Sequence, residues 1–262
     1  MIRALFWDVD GTLAETERFG HLSAFNRAFA EAGLPWRWSE ARYGELLRVT
    51  GGRERLLFDM QSQPAAPADE RARTALAAEL HRLKSRHYEA IVETGQLPLR
   101  PGVAALLEDC ARAAVTLAVV TTTSRANVAA LLGRHLGPRW RERFATLVCA
   151  EEAPRKKPDP LAYRVALANL ALDSDAVVAV EDSPAGVEAA RRAGVRVVLT
   201  RSYYFADTPA GAAVLAAGPS LGDARGWSPA LADGATRVSL AEIERWCKFA
   251  VTGAEAGRLK TS

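Results

Sequence analysis

The chain has 262 residues, 34 basic against 31 acidic for a net charge of +3, with 49% hydrophobic and 25% charged residues. That is the composition of a soluble globular protein, either one large domain or a core carrying an inserted module. With no basic tract, and no apolar stretch reaching about 18 residues, neither a nucleic-acid nor a membrane partner is expected.

Ala4-Leu5-Phe6-Trp7 is the first of four short apolar runs rich in β-branched or bulky residues. The others are Leu117 to Val120, Ala176 to Val180 and Val195 to Leu199, with Ala145 to Ala150 a weaker fifth. None shows the strict alternation of a half-exposed strand, so each reads as a strand covered on both faces. From residue 96 onward helical patterns lie between them, over 102–114, 127–136, 160–170 and 184–193. Pro101 is placed to start the first helix and Gly194 to end the last. Such alternation implies a doubly wound, Rossmann-like α/β core with a parallel sheet.

The stretch 17–93 breaks this rhythm, with helical patterns over 22–32, 40–48 and 71–92, a loop at Pro64-Ala65-Ala66-Pro67 and no convincing strand. It is expected to be an all-helical insert, leaving 1–16 and 94–262 as the core. Residues 219–233 read as loop, 240–250 as a closing amphipathic helix, and the small polar tail Thr252 to Ser262 as a segment that frays. Cys110, Cys149 and Cys247 are odd in number and widely spaced, which excludes a disulfide framework and fits a reducing compartment. Asp8 and Asp10 stand where a leader peptide needs an uncharged core, so the cytoplasm is expected.

Polar residues gather where the apolar runs end. Asp8 and Asp10 follow the first, Thr121 to Ser124 the second, and Glu181-Asp182 the third. In an open α/β sheet the carboxyl ends of the strands form the ligand crevice. An acid at one strand end is commonplace as a helix cap; the whole set is poorly explained that way. In Asp8-Val9-Asp10 two carboxylates lie two residues apart before a permissive Gly11. One can attack phosphorus while the other serves as general acid and base. Crowded carboxylates call for an oxygen-preferring divalent cation, and Mg²⁺ fits.

This ordered set resembles the haloacid dehalogenase-like hydrolase superfamily. Asp8-Val9-Asp10-Gly11-Thr12 matches its first motif, Thr121 its second, Lys157-Pro158 its third and Glu181-Asp182 its fourth. The resemblance implies Asp8 as nucleophile and metal ligand, and Asp10 as acid/base with its carbonyl on the metal. It further implies Thr121 as a hydrogen-bond donor to phosphate, Lys157 as the charge steadying nucleophile and phosphate, Asp182 as a direct Mg²⁺ ligand and Glu181 as a ligand directly or through a water. The helical insert resembles the cap of the β-phosphoglucomutase-like branch. There Thr50-Gly51-Gly52-Arg53-Glu54-Arg55 looks like the specificity loop, with Arg53 the best match for a distal phosphate and Lys84 a second cap cation; Thr16 and Glu17 lie at the hinge. Thr122 and Ser124 offer further hydroxyls, Ser124 doubling as a helix cap. In the branch a His follows the acid/base Asp by ten residues; here Gly20 holds that place and His21 comes one later.

Loop segments around Glu15-Thr16-Glu17, Thr50 to Glu54 and Thr121 to Ser124 resemble the CbbY-type proteins. That implies a monomeric phosphatase of a small phosphorylated sugar such as xylulose-1,5-bisphosphate, acting through an aspartyl-phosphate. A phosphomutase would use the same residues with a sugar hydroxyl in place of water. A dehalogenase would leave Asp10, Glu181 and Asp182 without purpose, and a non-catalytic sugar-phosphate-binding protein would not need the full set.

Overall fold

In the computed structural model, which describes the backbone of residues 1–258 and the side chains of 1–249, the apolar runs assemble into one sheet. Its strands are β1 (Ala4–Trp7), β2 (Thr116–Val120), β3 (Thr146–Val148), β4 (Val177–Glu181), β5 (Arg196–Thr200) and β6 (Val214–Gly218). All pairings are parallel, in the order β3-β2-β1-β4-β5-β6. This is a doubly wound, Rossmann-like order, and the direction of winding reverses beside β1.

The period of two along each strand sends alternate residues to opposite cores. Leu5, Trp7, Val119, Val178, Val180 and Val198 face one, and Phe6, Ala118, Val120, Ala179, Val197 and Leu199 the other. Helices α5 (Val103–Arg112), α6 (Arg125–Leu136) and α9 (Leu240–Arg258) cover the first core with residues such as Leu106, Leu131 and Trp246. Helices α7 (Leu161–Leu170) and α8 (Pro184–Arg192) cover the second with Tyr163, Ala166 and Ala190. Both faces of the central strands are therefore dry, which is why their sequences run without polar alternation.

Between β1 and α5, residues 17–93 hold only helices: a π-turn (Glu17–His21), α1 (Leu22–Glu31), α2 (Glu40–Leu46), α3 (Gly52–Asp59) and α4 (Glu70–Glu93). Ser39 caps α2 by accepting from the Arg42 N–H at 3.1 Å, and Asp69 caps α4 by accepting from Ala72 at 2.7 Å. Phe25, Phe29, Trp36, Trp38, Tyr43, Leu56 and Leu80 give this insert its own apolar centre.

Three elements differ from the sequence reading. β6 carried no strand signal, because Ala216-Ala217-Gly218 lacks the bulky residues that mark one. α3 starts inside the glycine-bearing loop of the sequence reading, with Gly51 as its cap and Gly52 as its first residue. The closing helix runs past residue 250 to Arg258; of the tail expected to fray, residues 259–262 lie outside the described residues. Among the described residues no helix is long and apolar enough to cross a membrane.

One buried residue fastens the strand ends together. The Arg100 guanidinium donates to the carbonyl oxygens of Gly11, Thr200 (2.9 Å), Arg201 (2.7 Å) and Pro219 (2.7 Å), and its Nε lies 3.3 Å from Glu15. It thus joins the loops after β1, β5 and β6 to the root of the insert. Removing it leaves several carbonyls without a donor, each costing about 1–3 kcal/mol where water cannot enter. Arg100→Met is expected to lower the stability measured by denaturant unfolding by about 3 kcal/mol or more. A loss under about 0.5 kcal/mol, the range of ordinary surface substitutions, would show that the fastening is unimportant.

Candidate active site

β1 and β4 are neighbours, so the residues following them meet at the carboxyl edge where the winding reverses. Asp8 follows β1, Glu181 ends β4 and Asp182 follows it; all three are buried. One carboxylate oxygen from each lies within 4.8 Å of the others. Lys157 enters from the loop before α7. Its ammonium donates to Asp8 Oδ1 at 2.7 Å, Glu181 Oε1 at 2.6 Å and the Val120 carbonyl at 2.8 Å, using its three protons at once. Tyr163 donates to the same Glu181 oxygen at 2.5 Å, and Ser202 to Asp182 Oδ2 at 2.5 Å.

These charges are poorly solvated. Burial pushes the Asp8 carboxyl up to about 7, helped by Glu181 and opposed by the Lys157 ammonium. Burial and the neighbouring Asp8 push Asp182 well above the carboxylate range. Burial alone would discharge Lys157, but Asp8 and Glu181 hold it protonated above its ordinary value. Three carboxylates against one ammonium leave an excess of negative charge.

The residues present fit a cation with oxygen preference. Glu181 Oε2 is buried and has no hydrogen-bond partner, the donors are all carboxylates, and two glycines make the room. A Cβ on Gly11, which has φ +83°, would stand 2.0 Å from Asp182 Oδ2; one on Gly186 would stand 1.9 Å from Glu181 Oε2. An all-oxygen, partly anionic set suits Mg²⁺ better than a softer metal.

Asp10 turns the other way, toward the insert. Its Oδ1 accepts from Thr16 Oγ1 at 2.6 Å and from His21 Nε2 at 2.9 Å. Burial raises this carboxyl, but the adjacent His21 and the two hydrogen bonds outweigh it and hold Asp10 below the usual carboxylate range. The one-residue offset of His21 in the sequence is absorbed by the π-turn, where the Leu22 N–H reaches back five residues to the Glu17 carbonyl. His21 then stacks on Tyr88 at 4.3 Å. Gly20 is required beside them, since a Cβ there would meet both Tyr88 and Leu97 at 2.9 Å.

Two adjoining cavities open above these groups. One, about 350 Å³, is lined by Asp8, Asp10, Glu17, Arg55, Lys157 and Asp182, with Thr50, Gly51, Thr122 and Phe205 also on its wall. The other, about 300 Å³, shares Asp10, Glu17, Gly51, Arg55 and Thr122, and adds Gly52, Arg53, His81, Lys84, Ser124 and Lys156. Arg53, Arg55, Lys84 and Lys156 make its wall basic, although burial and the nearby Lys84 lower the His81 imidazole to about 4, leaving it neutral, and burial lowers the Lys84 ammonium to about 8.

The other residues singled out in the sequence are distributed around these cavities. Thr50 Oγ1 donates to the Lys157 carbonyl at 2.6 Å, Gly51 has φ +93°, and Ser124 caps α6 by accepting from Asn127 at 3.3 Å. Thr121 is buried, accepts from the Thr123 N–H at 3.2 Å and lines neither cavity, whereas Thr122 lines both. Arg53 is exposed on the rim.

Sequence reasoning passed over Arg55, which is buried and donates to Tyr43 Oη at 2.8 Å; Tyr43 in turn donates to Glu17. Residues 53 and 55 point to different sides of α3, so only the position of its axis tells which faces inward. Tyr163, Ser202 and His81 carried no signal in the sequence.

A Gly11→Ala substitution is expected to displace Asp182 and lower phosphate-ester turnover by about a hundredfold or more while far-UV circular dichroism stays unchanged. Turnover within about threefold of wild type would show that the Asp182 position is not critical.

A family model for haloacid dehalogenase-like hydrolases matches residues 2–194. The protein CbbY of Cupriavidus necator, plasmid-borne, is 42% identical over 248 residues, covering 94% of this chain and 96% of that protein. CbbY of Rhodobacter capsulatus is 44% identical over 203 residues, covering 78% and 87% respectively. The crystal structure of a CbbY mutant from Rhodobacter sphaeroides in complex with xylulose-1,5-bisphosphate superposes with a TM-score of 0.73. It is 41% identical and covers 78% of this chain and 88% of that one.

Proposed function

Because the chain belongs to the haloacid dehalogenase-like hydrolase family, we propose that it is a Mg²⁺-dependent phosphatase of small sugar bisphosphates, xylulose-1,5-bisphosphate among them. The observation that carries this reading is the buried Asp8, tethered by Lys157, in the wall of an acidic cavity that adjoins a basic one. The reacting phosphate would sit over Asp8. A second phosphate would lie among Arg53, His81, Lys84 and Lys156. The likeness to a structure containing xylulose-1,5-bisphosphate supports this substrate class.

Asp8 would attack phosphorus in line while the bond to the sugar oxygen breaks and a proton from Asp10 neutralises that oxygen. Asp10 is held ionised in the resting arrangement, so the proton it delivers would arrive with the substrate phosphate, and the proton it later takes from water would leave with the inorganic phosphate. Asp10 would then take a proton from water, which attacks the aspartyl-phosphate, frees inorganic phosphate and restores Asp8. Lys157 would steady both the carboxylate and the phosphoryl oxygens, with the Thr122 backbone and hydroxyl beside them. Asp8, Glu181 and Asp182, with the Asp10 carbonyl, would hold Mg²⁺, which when bound supplies positive charge to the transferring group. Residues 17–93 would act as a cap over this site, excluding water from the attack on substrate. The cytoplasm is the compartment proposed, on the three buried, unpaired cysteines.

Incubation with sugar mono- and bisphosphates in Mg²⁺, with free phosphate and sugar products read together, tests this directly. Release of phosphate with no isomeric sugar phosphate is expected, and a chelator should abolish it. Asp8→Asn should lose at least about a thousandfold in kcat. Residual turnover above about a tenth of wild type would contradict a covalent role for Asp8. An isomeric sugar phosphate as the main product would make the protein a mutase.

A further inference from the structure

The loop after β5 leaves the sheet beside the carboxylate cluster and ends inside the helical insert. Its second residue, Ser202, is buried and holds Asp182. The next three are aromatic: Tyr203, Tyr204 and Phe205. A turn in which the Phe205 N–H donates to the Ser202 carbonyl at 3.2 Å lifts them off the core.

Each meets the insert differently. Tyr203 lies under the Arg18 guanidinium at 4.0 Å and donates to Glu40 at 3.2 Å, and Arg18 also donates to Glu40 at 3.2 Å. Tyr204 packs edge-on against Tyr43, ring centres 5.8 Å apart, and covers Gly44, where a Cβ would lie 3.2 Å from its ring. Phe205 joins Tyr204 against the insert's apolar centre and closes one wall of the cavity above Asp8. Tyr43, the residue that Tyr204 supports, is the one that binds both Glu17 and Arg55. Core-borne aromatic side chains therefore complete the apolar cluster of another module, and the polar group they brace faces Asp8 and Asp10.

We propose that Ser202-Tyr203-Tyr204-Phe205 is a latch that holds the cap closed and positions Tyr43, Glu17 and Arg55 over the nucleophile. Its residues are positioning residues. Aromatic packing supplies the grip, because the Tyr204 hydroxyl is buried with no partner and contributes no hydrogen bond. The exposed pair of Arg18 and Glu40 adds little by itself. The latch rests on reading residues 17–93 as a cap, though not on which phosphate ester is cleaved.

Spin labels on Gln61→Cys in the insert and Glu188→Cys on α8 report the opening of the full chain without substrate. Cys110 and Cys149 are buried and burial pushes both up to about 12; Cys247, which lines a surface cavity, is replaced by Ser for the labelling. One narrow distance is expected for the parent protein and for Tyr204→Phe. Tyr204→Ala should add a longer, broader population and reduce the ratio of closed to open form about tenfold. An unchanged distribution in Tyr204→Ala, or the same opening in Tyr204→Phe, would overturn the latch. Should Tyr204→Ala fail to fold, Gly44→Leu decides from the opposite side. Leu suits a helix and drives a wedge at Tyr204, so opening supports the latch and a parental distribution overturns it. Since no activity is read, a protein inactive on sugar phosphates that still opens as described would remove the proposed substrate and keep the latch.

Discussion

One buried ammonium organises the catalytic edge of this protein. Lys157 Nζ donates to Asp8, Glu181 and the Val120 carbonyl, so it joins the ends of β1, β4 and β2 with a single group. Buried ions are costly to desolvate, and a lysine persists there only while each of its protons has a partner. The position of Asp8 is thus set by charge as well as by backbone. Glu181 accepts from the same ammonium, and Tyr163 donates to the same Glu181 oxygen from beside it. The remaining negative charge of the cluster, centred on Asp182, is what makes a divalent cation the natural complement.

Two neighbouring carboxylates, Asp8 and Asp10, are driven apart in behaviour by their surroundings. Asp8 lies among acids and is raised by burial; Asp10 lies against His21 and Thr16 and is lowered. This order is the reverse of an ionised nucleophile beside a raised acid, and positive charge from a cation held by Asp8, Glu181 and Asp182 would bring Asp8 down. The start of the helical insert is responsible for the second environment, since His21 belongs to it and Thr16 directly precedes it. The insert's contacts with the core include the packing of α4 against α6, Thr50 on the Lys157 carbonyl, and the aromatic loop after β5. Closing the insert therefore changes the chemistry of the core as well as covering it.

Much of this was legible in the sequence because the features are local. Continuous apolar runs mark the doubly covered strands, and acids directly after them mark the crevice. Asp8, Asp10, Lys157, Glu181 and Asp182 could be named on that basis and by family resemblance, and the structure brings them together. What escaped depends on long-range geometry. Arg100 satisfies carbonyls from three distant loops, and no spacing announces that. Arg55 was passed over for Arg53 because the choice rests on how α3 is rotated. β6 is built from small residues whose burial is decided by α9 and the Trp227 region. His21 appeared out of register by one residue, and a π-turn, invisible to counting, restores its reach to Asp10.

The central claim is that the phosphoryl group passes through Asp8. Rapid quenching of the full chain during turnover of a sugar bisphosphate, reduction of any acyl phosphate with borohydride, and peptide mass spectrometry would test it most directly. The account predicts that Asp8, and no other acid, is converted to homoserine, and only when substrate is present. Modification at a different residue, or steady phosphate release with Asp8 unmodified in every quench, would contradict it.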